Sequence, residues 1–376
     1  MSEHSDCLII GGGLIGMLTA RELALAGMSV TLLERGETGR ESSWAGGGIL
    51  SPLYPWRYPD AVSDLAQYSQ RVYPELARAL TDEAGVDVEW TQSGLLMPAC
   101  EEIEQAQRWA KQYSADMKLV EGDELSQISP ELSSNLSQSS ALWLPNVAQV
   151  RNPRFVRALR GSIDKLGVKV LTGMAVKEIS HHAGKVDGVI TESGQRITAG
   201  QVALAGGAWS AGLLEGFGVE LPVIPVRGQM LLYKTTLDTV KRIILHKDRY
   251  VIPRRDGRVL VGSTIEHTGF EKQTTDSARI ELESEAQRIV PALAGFPVEA
   301  HWAGLRPGSP DGVPFIGACP NVSGLFLNTG HYRNGVILGP ASAAMLANMI
   351  LAKDFELSNI AYAPEGLLQK SKAVSA

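Results

Sequence analysis

Three glycines and one acid carry the clearest chemistry in this chain. Gly11, Gly13 and Gly16 stand in a G-x-G-x-x-G spacing. A strand-to-helix turn uses that spacing to bring a pyrophosphate against bare backbone: the first glycine allows the tight turn, the second the close approach, the third the packing of helix on strand. A helix starting there offers free N–H groups and the positive end of its dipole to the anion. Glu34 follows roughly 20 residues on, where a carboxylate accepts hydrogen bonds from ribose hydroxyls. Ser42 and Ser43, then Gly46, Gly47 and Gly48, put two hydroxyls and three positions without a side chain just behind that acid. Such a stretch suits the close passage of a cofactor and its phosphates, and it equally suits a flexible surface loop.

The elements that must position these residues decide how much the spacing is worth. With 39 glycines in 376 residues, chance supplies the pattern readily. Here, however, it lies between an apolar run at 7–10 and a helix-periodic segment at 14–26, with a β-rich run at 29–34 after it. That is a strand–turn–helix–strand unit with parallel strands and a right-handed crossover. A helix is expected at 61–84. Short strands at 86–90, 94–97 and 141–144 then alternate with a charged helix near 101–115. The first rhythm returns with a helix starting at Asn152-Pro153, strands at 168–171, 175–179 and 201–205, and a last strand and helix at 325–328 and 335–351. Residues 221–304 read mostly as β (226–233, 249–253, 258–262), interrupted by a helix at 276–290. The expected fold is α/β (α+β overall): a Rossmann-like dinucleotide-binding domain with a second domain built on a mixed, largely antiparallel sheet. The cofactor domain is discontinuous, over 1–80, 148–220 and 306–376, and the substrate domain spans 81–147 and 221–305.

Composition removes other classes. Lysines and arginines number 35 against 41 acids, a net charge of −6, which argues against nucleic acid as a partner. Cys7, Cys100 and Cys319 are too few and too widely spaced for a disulfide framework or a zinc site. The seven histidines form no H-x-x-x-H pair, so no metal is expected, and His181-His182 reads as an exposed hairpin. No G-x-S-x-G elbow is present, which suits a reaction driven by a cofactor. The N-terminus lacks a signal-peptide pattern, and the apolar stretch 336–351 is broken by Pro340 and Asn348. A cytoplasmic protein without a transmembrane segment is the expectation.

Seven segments taken in order resemble one family: IGGGLIG at 10–16 with Glu34, SSWAGGG at 42–48, PVRGQM at 225–230, YVIP at 250–253, GST at 262–264, GLRPGSPDGVPFIG at 304–317 and GHYRNG at 330–335. The chain resembles the FAD-dependent amino-acid oxidases of the D-amino-acid oxidase superfamily, and within it the glycine oxidases of thiamine biosynthesis. The resemblance implies FAD contacts at Leu14, Ile15, Glu34, Arg35, Ser42, Ser43, Gly47, Gly48, Ile49 and Val176. It also implies that His331, Tyr332, Arg333, Asn334, Gly335, Val336 and Ile337 wrap the flavin ring. It makes Arg306 the carboxylate anchor, assisted by Tyr250, with Arg333 beside the substrate.

Residue chemistry gives part of this a separate basis. The Arg306 guanidinium fork matches a carboxylate, and Arg333 opposes the positive end of the last helix, which calls for an anionic neighbour. Tyr250 reads equally well as a core tyrosine. Non-covalent FAD is expected, because the cysteine that tethers it in some relatives has no counterpart near 304–308. Ile49 and Ile265 stand where glycine oxidases can carry methionine, which leaves the substrate range open. The 54–58 loop is an entrance lid or a subunit contact. The implied reaction is oxidative deamination of glycine, sarcosine or small D-amino acids by hydride transfer to flavin, with dioxygen as the oxidant and hydrogen peroxide released, in a homo-oligomer. The alternative is a D-amino-acid dehydrogenase passing electrons to a quinone. A flavin-bearing RNA-modification module is a third reading, which the absence of a basic patch disfavours.

Overall fold

A computed structural model describes residues 4–364. Two eight-stranded sheets organise them. At the centre of the first is Ser5–Ile10, parallel to Arg196–Leu204 on one side and Val30–Glu34 on the other. Lys169–Thr172 extends the sheet beyond Val30–Glu34, and Leu325–Thr329 extends it beyond Arg196–Leu204. Parallel strands covered on both faces read as continuous apolar runs. Accordingly Leu8 faces one core with Leu33, Leu204 and Leu327, while Ile9 faces another with Met17, Phe155 and Leu338. The helices Leu14–Leu25, Asp60–Ala84, Asn152–Lys165 and Gly335–Ile350 supply much of the second of these cores.

The second sheet runs in the order Val298–Gly308, Ile224–Tyr233, Val259–Gly262, Arg249–Pro253, Ile243–His246, Leu95–Pro98, Ala141–Leu144, Lys118–Val120. All its pairings are antiparallel except that of Ile243–His246 with Leu95–Pro98. It is therefore the mixed, largely antiparallel sheet expected beside the Rossmann-like unit.

Some local expectations fail. Residues 86–90 form no strand. Their alternation of apolar and polar types imitates one, but Glu89 adopts a left-handed φ of 56° and turns its carboxylate to Arg151 and Arg154. The strands Lys185–Thr191, Ile243–His246 and Phe315–Ala318 have no counterpart in the expected pattern, and the strand leading to Arg306 runs on through it as Val298–Gly308. His181 and His182 do end an exposed hairpin strand, Val176–His182. Among the described residues no helix is long and apolar enough to cross a membrane.

Candidate functional site

A cavity of about 520 Å³ runs along the ends of the first sheet and reaches the second. It is lined by Gly11, Gly13, Leu14, Ile15, Glu34, Arg35, Ser42, Ser43, Gly47, Gly48, Ile49 and Val176, by His331, Tyr332, Arg333, Gly335, Val336 and Ile337, and by Tyr250 and Arg306. Of the expected site residues, Gly16 and Asn334 do not line it. A Cβ on Gly16 would lie 1.9 Å from the Gly11 carbonyl oxygen, so Gly16 serves helix–strand packing. Asn334 is the N-cap residue of Gly335–Ile350.

One end is built from backbone. Gly11 holds a φ of 108°, and a Cβ there would meet the Ala205 carbonyl oxygen at 2.4 Å. The Leu14 N–H, at the start of the first helix, donates to Ser43 Oγ at 2.8 Å. The Glu34 carboxylate accepts from the N–H groups of Gly12 (2.8 Å) and Gly36 (2.9 Å). It thus shapes the turn while keeping lone pairs for a ribose hydroxyl. Arg35 lies over the Trp209 ring at 3.6 Å, and that ring stacks on Phe270. Trp209 lines the cavity too and was missed, since no local pattern singles it out.

The other end is built from side chains. Arg306 Nη1 donates to the Thr264 carbonyl at 3.1 Å and Nη2 to Ser263 Oγ at 2.7 Å. Its guanidinium lies flat on Gly228, where a Cβ would come within 2.1 Å of both Nη atoms. Ser263, Thr264 and Gly228 set the position of the Arg306 guanidinium, a role that the reading of single residues missed. A glycine inside a strand is itself a sign of close approach, and Gly228 sits inside Ile224–Tyr233. Burial pulls the Arg306 pKa below its ordinary value; Tyr250 opposes the shift, and the Arg333 charge adds to it. Tyr250 is 6% exposed, and its hydroxyl donates to Met230 Sδ at 3.2 Å, a weak acceptor.

The loop before the last helix closes this end. Tyr332, at φ 46°, donates its N–H to the Pro307 carbonyl at 2.9 Å, which joins the loop to the strand of Arg306. Arg333 Nη2 and His331 Nε2 are buried without a protein partner. His331 is 2% exposed, and burial depresses its pKa to about 3, so the ring is neutral. Gly335, Val336 and Ile337 bring the first-turn N–H groups of Gly335–Ile350 to the cavity wall.

Other expectations sort cleanly. Ile49 lines the cavity; Ile265, 39% exposed, does not. The 54–58 loop folds into its own chain: Tyr54 Oη donates to the Lys247 carbonyl, and Trp56 Nε1 and Arg57 Nε to Glu102. None of its residues lines the cavity. Among the described residues no cluster of metal-ligating side chains occurs, and no cysteine borders the cavity.

Comparison with known proteins shows the family and the fold. The family model for FAD dependent oxidoreductases matches residues 6–349. The chain is 48% identical over 369 residues to a glycine oxidase of Pseudomonas aeruginosa, covering 98% of this chain and 100% of the relative. It is 43% identical over 362 residues to a glycine oxidase of Pseudomonas putida, covering 96% and 98%. The crystal structure of glycine oxidase from Geobacillus kaustophilus superposes with a TM-score of 0.90 at 26% identity, covering 96% of this chain and 98% of that one.

Proposed function

Because the chain belongs to the family of FAD dependent oxidoreductases, we propose that it deaminates glycine and similarly small amines, sarcosine and small D-amino acids among them, by oxidation. The donor set suits FAD. A glycine turn with a helix N-terminus meets the pyrophosphate at one end, and His331 and Arg333 offer buried, unpartnered polar atoms at the other. FAD, when bound, accepts a hydride and passes the electrons to dioxygen, which gives hydrogen peroxide.

The observation that carries the substrate class is the pair of guanidinium groups, Arg306 and Arg333, lining one cavity with no carboxylate bonded to either among the described residues. Arg306 has five N–H donors, of which Ser263 and Thr264 take two and thereby fix the plane of the fork. The remaining donors grip the substrate carboxylate, and Tyr250 exchanges its weak bond to Met230 for a bond to that carboxylate. Two nearby cations also disfavour the ammonium form of the substrate. The neutral amine is the form that can lose hydride from Cα and a proton from nitrogen to give the imine. Water then adds to the C=N bond, releasing the α-oxo acid with ammonia, or with methylamine when the substrate is sarcosine, unless the imine is consumed first in the assembly of the thiamine thiazole. Held in place, the substrate reacts as in a unimolecular step.

Oxygen uptake and peroxide yield with glycine, against glycinamide and methylamine at equal concentration, test this reading. Peroxide formed with glycine and little with the two amines lacking a carboxylate is the expected result. Equal rates with all three remove the carboxylate anchor. Peroxide absent while an artificial electron acceptor is reduced points to the dehydrogenase. We also propose non-covalent FAD, checked by acid precipitation leaving a colourless pellet. A cytoplasmic homo-oligomer is part of the same reading, checked by light scattering. We propose the same domain division, 1–80, 148–220 and 306–376 for the cofactor against 81–147 and 221–305 for the substrate; the membership of the two sheets supports it, with Val298–Gly308 crossing one boundary.

A further inference from the structure

The strand Arg249–Pro253 and the residue after it present every second side chain to one turn, the period of a strand. A Cβ on Gly47 would lie 2.9 Å from Ile252 Cδ1 and 3.2 Å from Tyr250 Cε2. Arg254, next in the alternation, donates from Nη2 to the Gly47 carbonyl at 2.8 Å. Its Nη1 donates to Gln149 Oε1 at 2.6 Å and to the Val150 carbonyl at 3.1 Å. Gln149 is held in turn by Ser93 Oγ and the Pro253 carbonyl, and the Val150 N–H returns to the Gly48 carbonyl at 2.9 Å. The Gly46–Gly48 turn is thereby pinned from behind by a guanidinium rooted in the strand that carries Tyr250.

This placement is costly. The nearby carboxylates Glu89 and Asp256 bond to Arg151 instead, and Arg254 meets neutral oxygens alone. A half-buried cation without an ion pair costs stability unless its donors are well used. Of the donors seen here, one goes to the wall of the main cavity and two to residues that brace that wall.

We propose that Arg254 is a positioning residue for the cofactor: it holds the Gly47 carbonyl turned away from the main cavity, so that the Gly46–Gly48 turn keeps its shape against the flavin and stays in register with Tyr250. The proposal rests on FAD occupying that cavity. It assigns Arg254 no contact with substrate.

The test compares wild-type holoenzyme with Arg254→Met and Arg254→Lys. The flavin release rate after dilution at 25 °C is read by the rise of free-flavin fluorescence, and the unfolding temperature is read separately by tryptophan fluorescence. Loss of charge-assisted bonds predicts release about tenfold faster in Arg254→Met. An intermediate rate is expected in Arg254→Lys, which restores one donor, with its unfolding temperature close to wild type. Release rates within twofold of wild type in both variants overturn the proposal. So does a fall in unfolding temperature in Arg254→Lys with no change in its release rate, because Arg254 is then a stability element alone. If Arg254→Met does not fold, the rate for Arg254→Lys decides. Wild-type protein that neither carries nor takes up flavin would sink the FAD reading itself, a different outcome from any of these.

Discussion

The two ends of the cavity are built by different means. At the Gly11–Gly13 end the wall is made of N–H groups and missing side chains, and Glu34 and Ser43 serve the backbone that shapes it. At the Arg306 end the wall is made of side chains from separate strands and a loop: Arg306 from Val298–Gly308, Tyr250 from Arg249–Pro253, and Arg333 from the segment before the last helix. A backbone cradle recognises what dinucleotides share. A side-chain cluster recognises what distinguishes one small amine from another. Damage at the first end should therefore remove the cofactor, and damage at the second should remove the substrate and spare the cofactor.

Gly16→Val should break the contrast most severely. Its side chain would start 1.9 Å from the Gly11 carbonyl oxygen, which forces the first helix off the central strand. Protein without flavin absorbance, or no soluble protein, is expected. Arg306→Ala comes next. Losing a bidentate anchor predicts a KM for glycine raised about 100-fold or more, with flavin content unchanged. Gly228→Ala should act through the same group more mildly, since its methyl would come within 2.1 Å of both Arg306 Nη atoms and displace the guanidinium. A KM about tenfold higher with kcat less affected is expected, and flavin content again separates this from the first variant.

A separate effect is one of pH. His331 has a folded pKa near 3 because burial disfavours its charged form; unfolded, it titrates near 6.5. Between these values the unfolded chain binds a proton that the native chain does not. The stability tied to this group is therefore complete above about pH 6.5 and is lost as pH falls toward 3, by about 1.4 kcal/mol per pH unit well inside that window. His246 and His301 are shifted in the same direction, also by burial. Unfolding temperatures at pH 7, 6, 5 and 4 should fall on acidification, and His331→Asn should flatten the curve. A profile unchanged by that substitution would contradict a buried neutral ring.

The same contrast explains what was legible in the sequence. The cradle is local: its glycines, strand, helix and acid lie within residues 5–34, so spacing and periodicity reveal it. The anchor is assembled in three dimensions. Arg306, Tyr250 and Arg333 were named through family resemblance and general arginine chemistry, whereas Ser263, Thr264 and Gly228 lay inside the segments GST and PVRGQM but gained a role only from the structure. The C-terminal end of Val298–Gly308 was hidden because Pro307 and Gly308 resemble chain breakers, yet Pro307 is tolerated because this is an edge strand of its sheet. Residues 86–90 misled in the opposite sense. Their alternation is strand-like, but the ion pairs of Glu89 hold the backbone in a left-handed turn.

Anaerobic bleaching of the flavin by glycine, followed in wild type and Arg306→Ala over a range of glycine concentrations, tests the division of labour most directly. The expected result is an identical flavin spectrum in the two resting proteins, with half-maximal bleaching rate at a glycine concentration about 100-fold higher in the variant. A variant that has lost its flavin, or one that bleaches at the same glycine concentration as wild type, would contradict it.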